Sequence, residues 1–325
     1  SPKQVGEFLF GKLGLPVIRK TKTGYSTDVD VLEELRGMNI SDIPGLLLNF
    51  REVDKLLSTY VMALPTFLNP QSHRIHPHFH LTKAATGRLA CDQPNVQNIP
   101  VRTLKGRKIR QAFVAEKGHI LLAVDYSQIE LRLLAHLAED PVMLEAFNKD
   151  LDIHQQTASE IFQVPLEDVT KDQRSAAKAI NFGLMYGQSS FGLSQQLKIP
   201  RHEAQQYIDF YFKRFYRVKQ YLEELKALAL EKGYSETMLG RKRWIPAIRS
   251  SNKMEKAAAE RVAINTPIQG SAADIIKLSM IQVDSLLKDY KCKMLLQVHD
   301  ELIFEMPLNE IDHLTPQIID IMQKV

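Results

Sequence analysis

The sequence predicts an α+β chain, and three observations carry that prediction. HILLAVD, near residue 120, has the composition of a buried strand. Two alternating apolar runs, in KMLLQVHDELIFEMP, stand near the C-terminus. Between them the apolar residues recur mostly at helical spacing. Strands that flank a large helical insertion fit a sheet with attached helical subdomains. The 325 residues, 44% hydrophobic and 25% charged, suffice for a large core and two or three subdomains. Cys91 and Cys292 lie far apart and outside any CxxC pattern, which argues against a disulfide framework and for a reduced cytosolic setting. No run approaches the ~20 apolar residues of a membrane span and no signal-peptide pattern opens the chain, so a soluble intracellular protein, or a piece of one, is expected. A net charge of +4 permits a polyanionic partner without requiring one.

The elements follow in order. Ser1 and Gln4 have capping-box spacing, Pro2 suits a first helical turn, and Gly14 can end that helix. A second helix is expected at STDVDVLEELRG, with Thr27 and Asp30 serving its first turn. A third is expected from Asp42 to Ala63, with Leu46, Leu47, Phe50, Val53, Leu57 and Tyr60 on one apolar face. The turn-rich stretch from Asn69 to Pro100 should hold short strands. HILLAVDY then reads as a strand and QIELRLLAHLAED as the helix after it. Residues 141–239 read as mostly helical. Within them, the segment from Glu203 to Lys232 carries Tyr207, Phe210, Tyr211, Phe215 and Tyr221, whose spacing reads as core packing. A further helix, about Met254 to Asp289, precedes the closing hairpin.

Four segments carry candidate chemistry. In AVDYSQIELR a strand ending at Asp125 presents a carboxylate at a sheet edge. In VHDE a hairpin tip presents His299, Asp300 and Glu301 where a two-residue turn would prefer Asn-Gly or Asp-Gly. If the two strands are neighbours, Asp125 and Asp300 converge. Converging carboxylates repel unless a divalent cation sits between them, and hard oxygen donors suit Mg²⁺. In DQRSAAKAINFGLMYG, Arg174, Lys178, Phe182 and Tyr186 recur every four residues and share one broad helix face. Two cations one turn apart repel, a poor choice for a merely structural helix but apt for gripping a triphosphate, with the aromatics stacking on a base. In ERVAINTPIQGSAAD, Arg261, Asn265 and Gln269 line one face beside a Pro-interrupted turn, suited to minor-groove acceptors. ATGRLACDQPNVQNIPVR offers Arg88, Asn95, Gln97 and Asn98 for phosphate and sugar contacts.

Together these segments resemble the family A DNA polymerases. DYSQIELR looks like the family's motif A, R-x-x-x-K-x-x-x-F-x-x-x-Y-G its motif B and VHDE its motif C. TGRL stands before them, and INTPIQGSAAD between the last two. The resemblance covers essentially the whole chain. It implies a right-hand polymerase fold with an antiparallel palm, helical fingers and a helical thumb. The expected limits are a partial thumb and thumb–palm connection at 1–68, palm at 69–140, fingers at 141–250 and palm again at 251–325. It implies template-directed addition of dNTPs to a primer 3′-hydroxyl with two Mg²⁺ ions, for which Mn²⁺ can substitute. One ion would activate the hydroxyl and the other would stabilise the leaving pyrophosphate.

Carried over residue by residue, Asp125, Asp300 and the Tyr126 carbonyl would hold the metals, with Glu301 an auxiliary acid. Arg174 and Lys178 would hold the triphosphate, and Lys178 could protonate the leaving group. Phe182 would pack on the incoming sugar and base, and Tyr186 would fill the templating-base position before the fingers close. Glu130 resembles the steric gate against a ribose 2′-hydroxyl. Gln128 and His299 complete the nucleotide site, His299 near the primer end. Arg88, Asn95, Gln97, Asn98, Arg261, Asn265 and Gln269 would contact the primer–template. Partners are then DNA and dNTPs, with no membrane, a monomeric state and a cytoplasmic setting in a bacterial or phage-infected cell. The chain starts at a point resembling the thumb interior and stops where a last palm helix would end. Ala90-Cys91 replaces the usual Ser-Ser, and Leu81 a commonly polar position. The alternatives are a single-subunit RNA polymerase, against which Glu130 argues, and a polymerase-like DNA-binding module made inactive by truncation, against which the two aspartates argue.

Overall fold

The computed structural model describes residues 1–22, 24–101 and 103–325. Contacts divide the chain into two units, residues 1–78 with 91–113 and residues 79–90 with 114–325.

The first unit opens with α1 (Pro2–Gly6), capped reciprocally by Ser1 and Gln4 and running on as a wider π-type helix over Glu7–Lys12. Strands β1 (Lys20–Thr21) and β2 (Gly24–Tyr25) form a minimal antiparallel hairpin. Helix α2 (Val29–Gly37) is capped by Asp28, not by the predicted Thr27, because the Asp28 carboxylate accepts the Val31 amide at 3.1 Å. Arg51 instead donates to the Thr27 carbonyl and hydroxyl. The core is Leu9, Phe10, Leu15, Val31, Leu32 and Leu35. Helix α3 (Ile43–Leu56) continues as a π-type turn over Leu57–Val61. Its predicted apolar face departs from expectation. Tyr60 is buried and donates to the Asn98 carbonyl at 2.5 Å, and Leu47 packs on the core. Leu46, Phe50, Val53 and Leu57 are exposed, Phe50 by 65%. Periodicity marks a face but not what covers it. Strands β3 (His78–His80) and β4 (Ala90–Asp92) are the short strands expected in the turn-rich stretch, and α4 (Leu104–Arg110) follows.

The second unit is built on a three-stranded antiparallel sheet. Strand β5 (His119–Asp125) leads into helix α5 (Ile129–Ala138). Helices α6 (Pro141–Asn148), α7 (Ile153–Phe162), α8 (Lys171–Met185), α9 (Ser190–Leu197), α10 (Arg201–Arg214) and α11 (Tyr216–Lys232) follow in sequence. The aromatic segment is thus two helices broken at Phe215. Tyr211 and Phe215 are buried as expected and Tyr207 and Tyr221 pack beside them, but Phe210 is exposed. Strands β6 (Tyr234–Glu236) and β7 (Lys242–Trp244) form a hairpin before α12 (Lys253–Leu287). The long hairpin of β8 (Lys293–Val298) and β9 (Glu301–Pro307) leads to α13 (Ile311–Lys324).

Strand β9 is central, in the order β5-β9-β8. Leu302, Phe304 and Met306 of β9 are fully buried against Val283 and Leu287 of α12 and Leu314 and Ile318 of α13. The helix expected over about Met254–Asp289 is α12, which continues through Pro267 without the interruption expected there. A mid-helix proline strips the carbonyl four residues back of its donor. Here that carbonyl, on Ala263, accepts the Ser235 hydroxyl of β6 at 2.8 Å, so the helix continues without a stranded acceptor.

Candidate active site

The two predicted carboxylates meet at one end of the sheet. Strand β5 pairs with β9 from His119↔Pro307 to Asp125↔Glu301, and the Tyr126 amide donates to the Asp300 carbonyl at 3.1 Å. The strand end and the hairpin tip are therefore tied together by backbone bonds. Both acids are held above the usual carboxylate range. For Asp125 the causes are desolvation and then the Asp300 carboxylate, with His299 opposing. For Asp300 they are burial and then Glu130, with Arg88 and His299 opposing. Uncompensated negative charge between oxygen donors is what a hard divalent cation neutralises, so the residues fit a metal of the Mg²⁺ class. Two residues beside the acids are in the left-handed region, Gln128 at φ 55° and His299 at φ 55°. The His299 carbonyl is held by the buried Gln297 side chain.

Glu130 is the hub of the site. Its side chain is only 7% exposed, and its two oxygens take separate partners, the Arg88 guanidinium and the Tyr186 hydroxyl. Gln269 of α12 donates to the same Tyr186 oxygen. Burial and the Glu130 charge hold the Tyr186 hydroxyl well above its ordinary range, so it stays a donor. Residues from four distant stretches, 88, 130, 186 and 269, thus form one polar chain that ends beside Asp300. The sequence reading named all four, but not that they touch.

Helix α8 presents the predicted cation–aromatic row. A Thr170–Gln173 capping box starts it, Ala177, Ile180 and Leu184 bury the opposite face, and Arg174 and Lys178 are left exposed. Arg174 is not free, since its Nε lies 2.7 Å from Asp152 Oδ2. Phe182 is half-buried, with its ring 5.9 Å from that of His154. His154 is a residue the sequence reading passed over. It is buried, its Nδ1 lies 2.9 Å from Asn181 Nδ2, and it feels the charges of Asp152, Arg174 and Lys178. Desolvation pushes its pKa down to about 4, so the ring is neutral at pH 7. Its only sequence signal was a histidine two residues after a helix-capping aspartate.

The other predicted contacts are dispersed. On α12, Arg261 is exposed, and Asn265 keeps its Oδ1 buried with no hydrogen-bond partner among the described residues. Gln128 likewise keeps a buried, unpartnered Oε1. Asn95, Gln97 and Asn98 belong to the first unit, where Asn95 caps a short 3₁₀ turn by accepting the Gln97 amide at 3.1 Å.

Comparison with known proteins bears on the family and the fold. The chain is 53% identical over 308 residues to DNA polymerase I of Pseudomonas aeruginosa, which covers 94% of this chain and 34% of that protein. It is 50% identical over 326 residues to DNA polymerase I of Bacillus subtilis, covering 99% of this chain and 37% of that one. The chain therefore spans little more than a third of these curated relatives. Among solved structures, the POL domain of Pol1 from M. smegmatis, in complex with DNA primer-template and dNTP, superposes with a TM-score of 0.94. It is 46% identical and covers 99% of this chain and 57% of that one. The α+β fold is that of a polymerase domain. The model of DNA polymerase family A matches residues 1–325, and the chain belongs to that family.

Proposed function

We propose that this chain carries template-directed DNA synthesis, adding dNTPs to a primer 3′-hydroxyl with release of pyrophosphate. The observation that carries the reading is the meeting of Asp125 and Asp300 at the open end of the β5-β9-β8 sheet, beside the Glu130 hub. In this reading residues 1–68 are a partial thumb and its connection, 69–140 and 251–325 the palm, and 141–250 the fingers. Asp125, Asp300 and the Tyr126 carbonyl would hold two Mg²⁺ ions, with Glu301 beside them, and Mn²⁺ could substitute. When bound, such ions supply Lewis-acid stabilisation of charge at the reacting phosphate.

The chain's own groups do the rest. Arg174 exchanges Asp152 for the triphosphate, and Lys178 beside it binds the same charge and gives a proton to the leaving pyrophosphate. Phe182 packs on the incoming sugar and base. Glu130 fills the space a 2′-hydroxyl would need, held there by Arg88 and Tyr186. Gln128 and His299 border the nucleotide and the primer end. Tyr186 leaves its place when a templating base enters, giving up its hydrogen bond to Glu130 and its packing beside the helical core. Arg88, Arg261, Asn265 and Gln269, with Asn95, Gln97 and Asn98, contact primer–template DNA. The proposed setting is the bacterial cytoplasm, in replication or repair, with the chain acting as a monomer. No helix among the described residues is long and apolar enough to cross a membrane.

The test is extension of a labelled primer–template with Mg²⁺ and four dNTPs, beside Asp125→Ala and Asp300→Ala. Template-dependent extension by the wild type alone is expected. Extension by either variant, or no extension by the wild type with DNA binding intact, overturns the reading. Efficient rNTP use by the wild type would favour an RNA polymerase instead.

A further inference from the structure

One cation in the second unit serves no role in the chemistry described above, yet is tied to the loop that carries Arg88. Arg241 ends the turn between β6 and β7. Its Nε donates to Asp274 Oδ1 at 2.8 Å, and its Nη2 donates to the Thr86 carbonyl at 2.8 Å and the Gly270 carbonyl at 3.1 Å. The guanidinium thus bridges helix α12 and the Thr86-Gly87-Arg88 loop. Two glycines make room for it. A Cβ on Gly87 would lie 2.3 Å from Arg241 Cζ, and one on Gly270 would lie 2.9 Å from Nη2. Gly87 also sits at φ 83°, which a side chain would strain. The turn is fixed in return, because the Arg241 amide donates to Thr237 Oγ1 at 3.1 Å and the Met238 amide to Ser271 Oγ at 2.8 Å.

The hydrogen bonds within the loop are local and do not set its place. Gly87 N donates to the Ala84 carbonyl at 2.9 Å, and Arg88 N reaches Thr86 Oγ1 at 3.5 Å. The bond from Arg241 to Thr86 spans 155 residues and anchors the loop two positions before Arg88. Arg88 then meets Glu130. A lysine could not replace this clamp, since one ammonium on a flexible stem lacks the planar fork that spans a carboxylate and two carbonyls.

We propose that Arg241 is a positioning residue for nucleotide addition, fixing the Thr86–Arg88 loop so that Arg88 holds Glu130 in place. The inference rests on the polymerase reading above. The test is a cycle of four proteins: wild type, Arg241→Lys, Arg88→Ala and the double variant. Single-turnover addition at saturating DNA and dNTP is measured beside thermal melting. Arg241→Lys is expected to slow addition about 10- to 100-fold, the scale of a misplaced reactive geometry. In the Arg88→Ala background it should slow addition no further, while its effect on melting stays the same in both backgrounds. Gly270→Ala, which crowds the guanidinium from the helix side at a residue without positive φ and leaves the loop sequence intact, should reproduce that pattern if Arg241→Lys fails to fold. Wild-type rates in Arg241→Lys, or equal slowing in both backgrounds, would overturn the inference alone. A wild type that adds no nucleotide would remove the polymerase reading and this one together.

Discussion

Glu130 offers the sharpest separation of bulk from charge. Its carboxylate is nearly enclosed and divided between Arg88 and Tyr186, so two substitutions take the two properties apart. Glu130→Gln keeps the volume and an acceptor but loses the charge. Only one of its two terminal atoms can then accept, so one of the donors Arg88 and Tyr186 loses its acceptor, a loss of about 1–2 kcal/mol. Glu130→Ala removes both partners' acceptor. Breaking a buried pair from one side costs about 3–5 kcal/mol, but the Arg88 side chain is 34% exposed and water recovers part of it, leaving about 2–3 kcal/mol. At about 2–4 °C per kcal/mol for a large domain, the Gln variant should melt a few degrees lower and the Ala variant lower still. Sugar selection should rank them differently. If Glu130 excludes a 2′-hydroxyl by occupying its space, Gln preserves the preference for dNTP over rNTP. Ala should then lose about 1–3 kcal/mol of it, roughly 10- to 200-fold in the ratio of kcat/KM values. The assay is single-nucleotide insertion with dNTP and rNTP titrations on one primer–template. Loss of selection in Gln as complete as in Ala would refute the steric argument and assign the exclusion to charge.

Four further outcomes are expected. Asp300→Asn should abolish extension, by about a thousandfold or more. The same change should raise the melting temperature of metal-free protein, since it removes a buried charge that burial and Glu130 disfavour; a lower melting temperature would contradict that. Ser235→Ala should cost about 1–3 kcal/mol by stranding the Ala263 carbonyl, and nearly nothing beside Pro267→Ala, which restores the helical donor; equal costs in both backgrounds would sink the account. His154 has a folded pKa near 4, below its unfolded value, so its contribution is complete above about pH 6.5 and is lost as pH falls toward 4. Denaturant melts should therefore show wild type losing about 2–3 kcal/mol more than His154→Gln between pH 7 and pH 4.5. Cys91 and Cys292 are buried, and burial with Glu310 nearby pushes the Cys292 thiol up to about 11, so neither should react with a thiol reagent at a free-thiol rate before unfolding.

What the sequence displayed was local. The run HILLAVD marked its strand and Ser1–Gln4 its helix start, because apolar spacing and capping chemistry act within a few residues. The candidate acids and bases stood in motifs that a family resemblance could name. What the sequence hid was pairwise and distant. Nothing near Pro267 signals that Ser235 will satisfy its orphaned carbonyl, so the spacing predicts a helix across this stretch and the proline an interruption within it, and the uninterrupted helix is the outcome. Nothing near Arg174 signals Asp152 as its partner across 22 residues, or His154 beneath both. The spacing of Leu46, Phe50, Val53 and Leu57 marks one face, but their exposure could not be read from it, since amphipathicity is a property of one helix and burial of two.

The same distinction explains where this fold tolerates strain. The sheet end holds like charges, Asp300 raising the pKa of Asp125 and Glu130 that of Asp300, and two non-glycine residues at positive φ, Gln128 and His299. Each is unfavourable alone, and local sequence would not choose them together. They persist because the surroundings over-determine the backbone. Seven register pairs join β5 to β9, Leu302, Phe304 and Met306 are fully buried, and the Tyr126 hydroxyl is fixed to Ser279 Oγ and the Met322 carbonyl, each at 2.6 Å. A backbone so anchored keeps the two aspartates at one sheet end. Protonation or a bound cation would relieve the charge gathered there, and at neutral pH the second is the route that leaves both acids charged.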